Sequence, residues 1–204
     1  MAWDIERTQR LLLDAAAVEF SARGLAGARV DRIAAAAGVN KERIYKYFGT
    51  KDQLFATVIS REVGALGDAV RLEGEGPEAV ADYAMRFFDH LCDAPALARL
   101  LCWEGLESAV PVAESARHDS MRGKIGDIRR AVPELSESVA REVLSTVLSL
   151  CYSWQTLPTL DRLVTGDATP GADRRQVRRA TIGRVIAAAV TAELTSASFA
   201  GPQS

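Results

Sequence analysis

The chain has 204 residues, enough for one large domain or two small ones. Hydrophobic residues make up 48% and charged residues 25%, a globular composition, and the low aromatic share of 6% beside abundant alanine favours helices over sheets. The 25 basic and 27 acidic side chains nearly cancel, yet the chain is net basic up to residue 55 and net acidic beyond it, the bias that nucleic-acid binding at one end needs.

The N-terminus has no apolar stretch of the secretory kind, and the longest clean apolar run near the C-terminus, Val185–Val190, falls far short of the ~20 residues a membrane span requires. Cys92, Cys102 and Cys151 fit neither a zinc spacing nor a disulfide framework. These features predict a soluble cytoplasmic protein with no metal, no cofactor and no membrane partner.

Taken in chain order, Leu12, Ala16 and Phe20 recur at i, i+4, i+8, and the run stops at Gly24, which predicts an amphipathic helix ended by glycine. Val30, Ile33, Ala34 and Ala37 form a second helical face, closed by Gly38. Asn40 suits the N-cap of a third short helix, with Glu42 in its first turn and Ile44 and Phe48 on its buried side. Thr50-Lys51-Asp52-Gln53 has the capping-box pattern and opens a longer helix through Leu54, Phe55, Val58, Ile59 and Val63. Gly74–Pro77 is the clearest break. Helix starts follow at Pro77 and Pro95, and Pro111 to Met121 reads as irregular.

From about Ser136 to Leu157, one stripe carries Val139, Val143, Val147, Leu150, Trp154 and Leu157, with Leu144, Leu148 and Cys151 beside it. That face is too wide for a helix with one buried side. A linker, Thr165–Asp173, precedes a last helix opening at Asp173, with Gln176 three residues on as a second capping box. No strand pattern occurs. The predicted fold is all-α.

Two short helices joined through Gly38-Val39-Asn40 have helix-turn-helix spacing, in which the second helix enters the major groove. Gly38 supplies the positive φ of a tight turn, and Ala34 and Ala37 are small enough for close helix approach. An ordinary helical hairpin with a charged outer face has the same spacing. The residues Asp14-Ala15-Ala16, Phe20, Gly24, Ile33-Ala34, Ala37-Gly38-Val39, Tyr45, Phe48, Lys51 and Leu54-Phe55 go further: over about residues 7–57 the chain resembles the tetracycline-repressor (TetR) family of bacterial regulators. Asn40 to Tyr45, followed by Tyr47-Phe48-Gly49, is similar to a common variant of that family's recognition helix.

The resemblance implies a helix-turn-helix domain over residues 1–50 that binds double-stranded operator DNA. An effector-binding and dimerisation domain occupies 51–204, of which 51–70 is a connecting helix. The resemblance places Lys41, Arg43, Tyr45, Lys46 and Tyr47 at DNA-contacting positions and makes Lys51 the family's phosphate-contacting lysine. Arg29 stands where the family usually has a helix-capping threonine; it supplies no capping oxygen but still reaches phosphate. Glu42 and Lys46, at i and i+4, read better as a helix-stabilising pair than as base readout. Arg174, Arg175, Arg178 and Arg179 read as a solvated face or as ion pairs.

The expected assembly is a homodimer through the last two long helices, with Val139, Val143, Val147, Leu150, Ala180, Gly183 and Ala187 at the interface. The expected effector is a small apolar or amphipathic molecule held by Tyr83, Phe87, Phe88, Leu91, Trp103, Leu106, Glu107, Met121 and Trp154, with Glu104 and His118 as further polar contacts. No nucleophile–base pair, metal cluster or cofactor loop supports an enzyme. A dimeric repressor released by a small ligand is the predicted function; a ligand-independent helical regulator or protein-interaction module is the alternative.

Overall fold

In the computed structural model, residues 2–166 and 171–199 are described, and all ten elements among them are helices. They are α1 (Ala2–Gly27), α2 (Val30–Ala37), α3 (Lys41–Phe48), α4 (Lys51–Ala69), α5 (Gly76–Asp93), α6 (Ala96–Glu107), α7 (Glu114–Ala131), α8 (Glu137–Thr156), α9 (Pro158–Thr165) and α10 (Ala172–Phe199). No helix of the described residues is long and apolar enough to cross a membrane.

The chain divides into two compact units. One comprises Met1–Ala65 with Ala94–Glu114, the other Leu66–Asp93 with Ser115–Ser204. In the first, Leu12, Ala16 and Phe20 of α1 are fully buried with Ile33, Ile44, Leu54, Val58, Ile59 and Leu100. The rings of Phe20 and Phe55 meet edge to face at 5.1 Å. Thr50 and Gln53 form the predicted capping box: the Thr50 N–H donates to Gln53 Oε1 (2.8 Å) and the Gln53 N–H to Thr50 Oγ1 (3.2 Å).

Residues 94–114, expected with the C-terminal domain, pack with the N-terminal helices. Hydrogen bonds account for this. Arg99 Nε and Trp103 Nε1 both donate to the Ser21 carbonyl (2.9 and 3.2 Å), and Glu107 Oε2 accepts the Leu25 and Ala26 N–H groups (2.6 and 3.3 Å). Those N–H groups are free because Gly24 (φ 69°, ψ 179°) breaks the helical path of α1, as its sequence predicts.

The second unit is built on α5, α8 and α10. Ala79, Val80, Ala84, Phe87, Phe88 and Leu91 of α5 are buried, with Ala140, Leu144, Val147 and Cys151 of α8 and Ile182, Ile186 and Val190 of α10. Gly183 lets α10 approach α5, since a Cβ there would lie 2.7 Å from Met85 Sδ. The four clustered arginines at the start of α10 find partners inside this unit. Arg175 pairs with Asp93 (2.8 Å), Arg179 with Asp89 (2.6 Å) and Arg174 with Asp161, while Arg178 donates to Ser153 Oγ (2.8 Å). The Arg175 guanidinium holds the Asp93 carboxyl below its usual range.

Two helices are not apparent from the sequence. The stretch predicted as irregular, Pro111 to Met121, runs into α7, which buries only Ile128 and Ala131 and so shows no apolar stripe. α9 buries none of its residues. The last helix begins at Ala172, one residue before the predicted start, and part of the Thr165–Asp173 linker lies outside the described residues.

Burial pushes the Cys151 thiol up to about 12 and the Cys92 thiol up to about 11, so both stay protonated at neutral pH and are poor nucleophiles. Cys102 is exposed.

Candidate nucleic-acid interface

α2 and α3 are joined as the spacing predicts. Gly38 takes the left-handed conformation (φ 64°, ψ 31°). Its N–H and that of Val39 close onto the carbonyls of Ala35 (3.1 Å) and Ala34 (3.0 Å) at the end of α2. Asn40 Oδ1 then caps α3 by accepting the Glu42 N–H at 3.1 Å. Ile44, wholly buried, fixes the inner face of α3.

The helix rotation that buries Ile44 turns Lys41, Arg43, Tyr45 and Lys46 to solvent. Arg43 and Lys46 make no ion pair among the described residues, so their charges are available to a ligand. Glu42 does not pair with Lys46 as expected; its carboxylate instead lies 3.5 Å from Asn40 Nδ2. Lys41 Nζ sits 2.9 Å from Asp31 Oδ1 of α2, and this hydrogen bond raises the lysine pKa.

The two tyrosines of α3 differ in exposure. Tyr45 is 49% exposed, whereas Tyr47 is half-buried against the core with its ring edge-on to Phe48 at 6.3 Å.

Arg29 occupies the N-cap of α2 in extended conformation with no side-chain capping bond. A carboxylate of α1 instead binds the N–H of the N-cap residue itself. Glu19 Oε1 accepts the Arg29 N–H (3.0 Å) and Arg32 Nε (2.7 Å). Burial opposes ionisation of Glu19, but the bonds from Arg32 and from the Arg29 N–H outweigh it and hold the carboxyl below its usual range. Sequence reasoning missed Glu19 because only folding brings position 19 beside the turn at position 29.

Lys51 is half-buried, and its Nζ donates to the carbonyls of Ala28 (3.3 Å) and Ala26 (3.5 Å) at the end of α1. A cation in the first turn of α4 opposes the helix dipole, and these carbonyls compensate it. Arg7 was also missed. It lines an open groove of about 330 Å³ with Thr8 and Leu11 of α1, the Ala37–Asn40 turn and Arg43 of α3. Like Arg43, it makes no ion pair among the described residues. Only its place in a basic segment hinted at this.

The expected effector residues fall in both units. Tyr83, Phe87, Phe88 and Leu91 are buried in the second, where Trp154 meets Phe88 edge to face at 5.5 Å and Met121 is half-buried on α7. Trp103 and Glu107 belong to the first unit and are bonded to α1, Leu106 is 74% exposed, and buried Glu104 accepts the Val112 N–H at 2.7 Å. His118 is exposed.

Of the expected interface residues, Val139, Leu150, Ala180 and Ala187 keep exposed surface. Val143, Val147 and Gly183 are buried within their own unit, and the close approach Gly183 permits is to α5. Val139 and Val143 line an open groove of about 300 Å³ with Thr146, Ile186 and Ala189.

Residues 12–58 match the family model described as bacterial regulatory proteins, tetR family, and residues 79–187 match a tetracyclin repressor-like C-terminal domain. The HTH-type transcriptional repressor SCO4008 of Streptomyces coelicolor is 32% identical over 177 residues, covering 84% of this chain and 91% of its own. The HTH-type transcriptional repressor NicS of Pseudomonas putida is 26% identical over 163 residues, 74% of this chain and 77% of its own. The crystal structure of SCO4942 from Streptomyces coelicolor aligns with a TM-score of 0.71 and 32% identity, covering 88% of this chain and 96% of that one.

Proposed function

Since this chain belongs to the tetR family of bacterial regulatory proteins, a family of transcriptional regulators and not of enzymes, we propose that it is a cytoplasmic homodimeric repressor. In this reading it binds a near-palindromic operator and leaves it when a small molecule binds. DNA recognition lies in the first fifty residues, and effector binding and dimerisation lie in the remainder of the chain. The observation that carries the reading is α3: Ile44 locks one face into the core while Arg43, Tyr45 and Lys46 stand outward, two of them as unpaired cations.

Arg43 is suited to bidentate readout of guanine in the major groove, and Tyr45 and Lys46 to neighbouring phosphates or base edges. Arg29, Lys41 and Lys51 position the domain on the backbone. Tyr47 contributes its hydroxyl while its ring holds α3 in place. Lys51 has two of its three N–H groups directed at α1, so it serves both as clamp and as phosphate donor. Arg7 joins this set, because its groove ends on Arg43 and leaves both guanidinium groups without a protein counter-ion among the described residues.

Replacing Arg7 with alanine is expected to weaken binding to every DNA sequence alike and to flatten the plot of log affinity against log salt by about 1.8, the loss of one phosphate contact from each protomer of the dimer. Fluorescence anisotropy on two unrelated sequences across a salt series checks this. A slope that stays at the wild-type value would take Arg7 out of the interface.

Dimerisation is supported by the groove between α8 and α10, where half-buried Val139 and exposed Ala189 offer apolar surface for a second copy. Effector release is supported by Tyr83, a 3% exposed side chain whose hydroxyl lacks a hydrogen-bond partner among the described residues. A ligand releases DNA only by binding more tightly to a conformer with mis-spaced recognition helices, and operator and effector must then weaken each other by the same factor. Light scattering at micromolar concentration tests the first part. A monomer mass there contradicts the proposed dimer.

A further inference from the structure

Building on the effector reading, we propose that the ligand of the second unit is an amphipathic anion, whose acidic head is taken by Lys124 and Tyr83 and whose apolar body lies against Phe87 and Tyr152.

Tyr83 projects from α5 into the interior of its unit, 3% exposed, and its hydroxyl makes no hydrogen bond among the described residues. Burial raises its pKa, so at neutral pH it remains a donor without an acceptor. Lys124 of α7 places its ammonium 5.8 Å from the centre of the Tyr83 ring. That ammonium is half withdrawn from water, which lowers its pKa, and it forms no ion pair among the described residues.

Asp127, one turn along α7, offsets part of the Lys124 charge through space but gives its hydrogen bond to Arg130 at 2.7 Å, and Asp82 of α5 is held by Arg86 at 2.7 Å. Two donors, one hydroxyl and one cation, thus share one ring without an acceptor between them. Buried polar groups are ordinarily satisfied, and those left bare tend to mark a place where something else binds.

The missing partner has a definite chemistry. A neutral carbonyl can accept from both groups but leaves the Lys124 charge uncompensated, and a cationic head is repelled by it. Only an anionic acceptor answers both. Aromatic rings adjoin these two donors. Phe87, one turn after Tyr83, lies 5.9 Å from it between ring centres and meets Tyr152 of α8 edge-on at 5.8 Å. Aromatic edges of this kind suit an aliphatic or aryl body behind the acid.

The test uses the full-length protein, calorimetric titration and thermal unfolding with two matched sets of probes: decanoate, decanamide and decylamine, and 3-phenylpropionate with its amide and amine. The acid of at least one set should raise the unfolding midpoint and bind at least tenfold more tightly than its amide. Lys124→Met should abolish that preference, and Tyr83→Phe should weaken acid and amide together. Without ligand, both variants should unfold no earlier than wild type, because each removes an unsatisfied polar group.

Amide or amine binding as tightly as the acid overturns the head-group assignment and leaves the effector reading standing. Silence of every probe contradicts both. Earlier unfolding of either ligand-free variant assigns its polar group a structural role and overturns the proposal for that residue.

Discussion

Gly24→Ala is expected to lower the thermal midpoint by about 5–10 °C. The backbone at Gly24 stands at φ 69° and ψ 179°, a conformation glycine adopts freely and alanine does not. Space is also lacking: a Cβ would lie 2.5 Å from Glu107 Oε1 and 2.8 Å from Trp103 Cε3. The carboxylate cannot swing away without releasing the Leu25 and Ala26 N–H groups.

Gly38→Ala is the control. Nothing lies within 4 Å of its added Cβ, so only the left-handed backbone is penalised, by about 1–2 kcal/mol. Differential scanning calorimetry on both variants should rank Gly24→Ala as the more damaging. The reverse order would mean that α6 is held to α1 more loosely than its hydrogen bonds imply.

Arg43→Ala is expected to change which DNA the protein prefers, with a loss of about 1–3 kcal/mol confined to sequences carrying the cognate base pair. The guanidinium is exposed on the outer face of α3 and has no protein counter-ion among the described residues, so nothing internal is lost with it. Lys51→Ala should instead weaken all sequences alike and lower stability slightly, because its ammonium also clamps the end of α1. Binding across a library of single-base operator variants separates the two patterns. If Lys51→Ala shifts base preference while Arg43→Ala does not, the division between reading and positioning is wrong.

The N-terminal helices were legible because every local signal agreed. Apolar spacing, Gly24 and Gly38 as terminators, Asn40 as N-cap and the Thr50–Gln53 box all describe the same four elements. α7 was not legible, since it carries no apolar stripe that would betray a helical period, whereas α9 places Leu160, Leu163 and Val164 at helical spacing over a stretch of only eight residues.

Orientation was legible where chain position alone sets it, as on α3, and was not where packing decides. Trp103 and Glu107 looked like ligand wall because aromatic and acidic residues on a helix carry no mark of what they face. Val147 and Gly183 looked like interface for a related reason. A wide apolar face does not say which edge turns inward, and Met85 filling the space above Gly183 is a tertiary fact. The same limit hid Glu19 and Arg7, whose roles depend on segments brought together by folding.

The most direct test of operator recognition by a dimer is selection of the full-length protein against a random double-stranded DNA library at fixed salt, with footprinting of the enriched sequence. A dimer whose two α3 helices read successive major grooves should enrich a near-palindrome with half-site centres about 34–36 Å apart or a multiple of that distance. A library that remains unenriched after repeated rounds, or a single unrepeated half-site, would contradict it.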